Sequence, residues 1–119
     1  MVRLLSGRPA AGHRRAPAAG RPLGDDDRAI AQKLHEIVAA TAPALMPRTW
    51  YGMPAYAHDG KVIAFFKAAA KFDARYAEVG FNEDASLDDG PMWPTAFAVT
   101  ALTPEVETTL AALVTRAAG

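Results

Sequence analysis

The stretch TWYGMPAYAHDGKVIAFFK, Thr49–Lys67, decides the fold. Asp59-Gly60 places two residues that tolerate positive φ between two apolar segments, which is the signal of a two-residue type I′ hairpin. Pairing outward from that turn sets His58 opposite Lys61, Ala57 opposite Val62, and Tyr56 opposite Ile63. Pro54 has no N–H for a ladder and holds Met53 extended, so the first strand is expected to bend or end there. The second strand, 61–67, is apolar on both sides. Val62, Ala64 and Phe66 are assigned to one face; Ile63 and Phe65, with Tyr56 across the hairpin, to the other. A strand of this kind is central and buried on both sides. One face is expected to carry helices, and a pocket wall or a second subunit to cover part of the other.

Outward from the hairpin, the apolar spacing turns helical at both ends. Ile30, Leu34, Ile37 and Val38 form one stripe at i, i+4, i+7 and i+8. Asp25, Asp26 and Asp27 precede it as first-turn carboxylates, and Pro43 stops the helix around Thr41. Val106, Leu110, Leu113 and Val114 repeat the same stripe after Thr103-Pro104-Glu105, an N-cap, N1 proline and first-turn acid. Between them Phe72–Ala77 alternates as a half-exposed strand, residues 82–94 form a long turn-rich loop, and 95–102 reads as a further strand. The expected fold is therefore α+β: an antiparallel sheet with the N- and C-terminal helices on one face, a two-layer sandwich.

Composition bounds the function. The chain of 119 residues makes one domain at most. It has no cysteine, which removes disulfides, thiolate metal sites and cysteine nucleophiles together. Its apolar runs fall far short of the ~20 residues that cross a bilayer, so no membrane partner is expected. The formal charge of zero is unevenly spread. Residues 1–24 carry five arginines and no acid, and are read as a disordered basic tail of Arg, Ala, Gly and Pro. Residues 25–119, the single α+β domain, then hold all 13 acids against eight bases, a net charge of −5. Nucleic acid is an unfavoured partner for such a domain, and a cytoplasmic location fits the absence of cysteine.

No P-loop, dinucleotide glycine fingerprint, HExxH or nucleophile elbow is present. His13, His35 and His58 stand apart and read as surface histidines. The loop acids Glu83, Asp84, Asp88 and Asp89 are a candidate metal site, because oxygen ligands suit hard cations; NEDASLDDGPMW does not follow an EF-hand, and solvated loop acids are the plainer explanation. Lys61, Lys67, Lys71 and Arg75, with Arg48 upstream, are candidates for receiving a phosphate or carboxylate, or simply balance an acidic surface. Basic residues beside an aromatic face make a ligand mouth. The candidate ligand-binding set is Trp50, Tyr51, Met53, Tyr56, Lys61, Phe65, Lys71 and Trp93, with no catalytic residue assigned.

The stretch from Thr49 to Phe66 resembles the YdhG-like domain family of unknown function. Tyr51, Gly52, Met53, Pro54, Ala55 and Tyr56 match its aromatic-Gly-Met-Pro-Ala-Tyr pattern, and Gly60, Lys61 and Val62 its Gly-Lys-Val. Lys71 looks like the family lysine before the next strand, and residues 92–107 resemble the ending of one bacterial subgroup. The resemblance covers roughly residues 26–117. It implies a frataxin-like antiparallel sheet carrying helices from both termini, and some relatives are described as iron chaperones. It carries over no catalytic set.

The expected function is therefore non-enzymatic binding of a small ligand or a metal, with iron as the implied metal. The alternative is a homodimeric interaction module that uses the uncovered sheet face of Tyr56, Ile63 and Phe65. An enzyme working through Lys61 or Lys71 ranks last, because no nucleophile–base pair is legible.

Overall fold

Residues 25–119 are described by the structure, a computed structural model. The reading of residues 1–24 as a basic tail lies outside the described residues. Along the chain come α1 (Asp25–Thr41), β1 (Met46–Trp50), β2 (Met53–His58), β3 (Lys61–Lys67), β4 (Ala77–Phe81), β5 (Ala96–Val99) and α2 (Pro104–Ala118). The five strands form one sheet in chain order, each antiparallel to its neighbour. Ile30, Leu34, Ile37 and Val38 of α1 and Leu110 and Val114 of α2 are buried in one cluster with Tyr56, Ile63, Phe66 and Val79 of the sheet. Both helices thus cover the same face, and the fold is the expected α+β arrangement.

The helix ends follow the local chemistry. α1 stops at Thr41, ahead of Pro43. Thr103 caps α2 in extended geometry, its Oγ1 accepting from Val106 N at 3.2 Å, with Pro104 in the first turn. Asp27 departs from the capping expectation. It is 5% exposed, and its carboxylate accepts from the backbone N–H of Ala69 (3.2 Å) and Ala70 (2.9 Å), far along the chain. A carboxylate removed from water takes the donors within its reach, and here these belong to the turn after β3.

That turn replaces an expected strand. Residues 68–76 are not extended: Phe72 N donates to Ala68 O and Ala74 N to Ala69 O. The alternation of Phe72, Ala74 and Tyr76 imitates a strand, but the paired segment is Ala77–Phe81. Its Ala77, Val79 and Phe81 enter the core. The strand expected over 95–102 is shorter, Ala96–Val99.

The first strand is also two strands. Tyr51 (φ 50°) and Gly52 (φ 76°) both adopt positive φ and turn β1 into β2, as Asp59 (φ 51°) and Gly60 (φ 79°) turn β2 into β3. Pro54 lies inside β2, opposite Thr49 of edge strand β1. The ladder from β2 to β3 begins only at Ala55, so the proline does limit that ladder, though not the strand.

The register is as expected for His58–Lys61 and Ala57–Val62 and then shifts. A bulge between Tyr56 and Ala57 sets Tyr56 opposite Ala64, leaving Ile63 as the extra residue. An extra residue carries two neighbours to the same side. Ile63 and Ala64 both belong to the helix-side cluster, and Tyr56 joins them there. Val62 lies on the opposite face with Ala55, Ala57, Trp50 and Phe65. The expected assignment of Val62, Tyr56 and Ile63 to faces is thereby reversed.

Candidate functional site

The face turned away from the helices is built by rows of opposed residues. Arg48, Ala55, Phe65, Gly80 and Ala96 lie in one row across all five strands. Small residues leave this face low, and two aromatics fill part of it. The outer end of the Phe65 ring lies over Gly80, where an added Cβ would collide with Cζ. Trp50 packs beside Phe65 at 5.2 Å between centroids, and Tyr51 stands edge-on to Trp50 at 4.8 Å. Beneath these rings Ala55, Ala57 and Val62 are buried.

Beside the aromatics is a shallow depression of about 450 Å³, lined by Arg48, Trp50, Lys61, Val62, Glu83 and Asp84 among others. Lys61 Nζ lies 3.8 Å from Asp84 Oδ1, a loose and exposed pair that holds the lysine weakly. The Arg48 side chain makes no hydrogen bond, ion pair or ring contact among the described residues. An exposed guanidinium on the same face as an indole suits a flat anion, because its donors form a planar fork and the ring supplies apolar area.

The expected ligand set divides among four places. Trp50, Tyr51, Met53, Phe65 and Lys71 come together around the β1–β2 corner, where Lys71 Nζ donates to Gly52 O. Lys61 stands beyond the second hairpin turn, near Asp84. Tyr56 is on the opposite face, 3% exposed, its hydroxyl 3.3 Å from His35 Nδ1. Trp93 packs against the core from the 82–95 loop, at a groove it shares with Phe81, Leu87, Pro91 and Met92. Trp50 and Lys71, Tyr56, and Trp93 thus stand at three separate places among the described residues.

The loop acids do not gather into one site either. Asp84 faces Lys61, while Glu83 and Asp88 line the groove beside Trp93 and Asp89 is exposed. Among the described residues no group of three or more His, Asp or Glu side chains is placed to hold a metal ion. The loop's backbone has a covering role: Ala85 and Leu87 are buried, and Ser86 N donates to Ala117 O of α2 at 3.1 Å.

Two residues outside the expected ligand set belong to candidate sites. Arg48 was legible only as a base near the strand ends; its place beside Trp50 depends on a hairpin with a tyrosine in its turn. His35 reads from its spacing as a surface histidine, and nothing local to it foretells a contact with Tyr56. No family profile, curated protein or solved structure matches the chain. Among the described residues no helix is long and apolar enough to cross a membrane.

Proposed function

We propose that this chain is a non-enzymatic binding domain whose ligand, a small flat molecule bearing a carboxylate or similar anion, lies on the helix-free face of the sheet. One observation carries the reading: Arg48, whose side chain has no partner among the described residues, beside the tilted ring pair of Trp50 and Phe65, on a face that neither described helix covers. Tyr51 supports it. A tyrosine 81% exposed with φ 50° is an uncommon choice for a hairpin tip, and strain of this kind collects at functional sites. The resemblance to YdhG-like domains, carried by Tyr51–Tyr56 and Gly60–Val62, agrees with a binding role. The dispersed loop carboxylates give an iron-handling role no comparable support.

Benzoate is a suitable probe, followed by tryptophan fluorescence in a Trp93→Phe background that leaves Trp50 as the reporter. Saturable quenching is expected, weakened roughly tenfold by Arg48→Met through loss of the charge-assisted contact. Quenching that is absent, or indifferent to Arg48→Met, contradicts the reading.

A second reading uses the same face for a homodimer. The apolar patch of Ala55, Ala57 and Val62 beneath Trp50 and Phe65 favours it. Its face is not the expected one, since Tyr56 and Ile63 are spent in the core. Light scattering decides: a dimer split by Phe65→Asp supports this reading, and a monomer at high concentration removes it.

A further inference from the structure

On the other side of the sheet, where α1 meets the first two strands, lies a pocket that neither reading above uses. His35 and Val38 of α1, Pro43 and Leu45 of the connection, Pro47 of β1 and Tyr56 of β2 line it. The sequence makes this gap for local reasons. Pro43 ends α1 and turns the chain away, while Leu45 folds back into the core at 5% exposed. Pro47 stands opposite Tyr56 in the β1–β2 ladder. The α1 residue on the pocket wall one position after Val38 is Ala39, too small to close the space. The pocket has a volume of about 240 Å³, with Val38, Leu45 and Tyr56 buried at its floor and His35, Ala39, Pro43, Met46 and Pro47 exposed around its mouth.

The wall is apolar except at one point. Tyr56 is 3% exposed, and its Oη lies 3.3 Å from His35 Nδ1. A phenol that donates to the imidazole keeps lone pairs on its oxygen able to accept a further hydrogen bond. No carboxylate, lysine or arginine lines the pocket, so a charged ligand would lose its hydration there without a partner. An apolar wall with one convergent polar point is the usual make-up of a small-molecule site.

We infer that this pocket binds a small, neutral, apolar molecule carrying one hydroxyl group, such as a phenol, with Tyr56 Oη accepting from that hydroxyl. The site is independent of the sheet-face reading and takes an uncharged ligand rather than an anion.

Phenol is the probe, with toluene as its counterpart lacking the hydroxyl, each titrated into the ¹⁵N-labelled full chain. Phenol is expected to shift the backbone resonances of His35, Val38, Leu45 and Tyr56, in preference to toluene. Ala39→Leu, a change to another good helix former, is expected to fill the pocket and abolish the shifts. Tyr56→Phe keeps the ring and is expected to reduce the phenol-over-toluene preference by roughly two- to tenfold. The inference is overturned if phenol leaves these resonances unmoved, if Ala39→Leu binds phenol as before, or if the preference survives Tyr56→Phe.

Discussion

Three side chains show how a single position departs from what its neighbours in sequence suggest. Tyr51 sits in the left-handed region at a hairpin tip, where an asparagine is several-fold better suited. Tyr51→Asn is therefore expected to raise stability by about 0.5–1 kcal/mol in denaturant unfolding, less the contact Tyr51 makes with Trp50. Asp27 serves a turn far along the chain rather than its own helix. Asp27→Ala strands two backbone donors and is expected to cost about 2–3 kcal/mol, read as a lower urea midpoint at unchanged slope. Tyr56 has its pKa pushed above the ordinary 10.0 by burial. An acid raised in the folded state contributes stability that is fully present below its unfolded value and lost as pH rises through the folded one. Unfolding is thus expected to become easier above about pH 10, and a 295 nm titration of Tyr51→Phe/Tyr76→Phe should show the remaining tyrosine ionising above that value.

Among the elements, the β2–β3 hairpin shows what was legible and what was not. Asp59-Gly60 announced its turn because two residues that accept positive φ stand together, and the first two pairs followed. The bulge after Ala57 was not legible, since a local pattern of apolar residues on both faces gives register no preference. Once Ile63 is counted as the extra residue, Tyr56 changes sides, and the expected interaction face loses two of its three residues. The Tyr51-Gly52 turn was hidden for the opposite reason: tyrosine is a poor announcement of a turn. Phe72–Ala77 misled because alternation reports a period and not a ladder, and the turn there is held by Asp27, a residue some forty positions earlier. The two helices needed no such information, because their stripes and caps are local. Phe65 over Gly80 gives the sheet's helix-free face its own test. Gly80→Ala is expected to displace the ring at a cost of about 1–2 kcal/mol, and much less in a Phe65→Leu background. Equal costs in both backgrounds would show that the ring does not occupy that space.

As a whole, the molecule divides its chemistry between the two faces of one sheet. The helix side holds the main core, with Leu34, Phe66, Val79 and Val114 fully buried, and Phe66→Ala is expected to cost about 3–5 kcal/mol in thermal or denaturant unfolding. The opposite side has a thin apolar floor, two aromatics in tilted contact and an arginine whose side chain has no partner among the described residues. The sequence pointed to this face through Trp50, Phe65 and the nearby bases, but also enlisted Tyr56 and Trp93, which serve other surfaces. Spatial grouping of aromatics depends on long-range register, so that part of the site became legible only with the sheet assembled.

The central claim is that Arg48, Trp50 and Phe65 act together as a receptor for a flat anion. Intermolecular NOEs to benzoate test it most directly. The account predicts contacts from the benzoate ring to the Trp50 indole and the Phe65 ring, with the Arg48 Nε resonance shifting at the same occupancy. NOEs confined to other residues, or none at saturating benzoate, would contradict it.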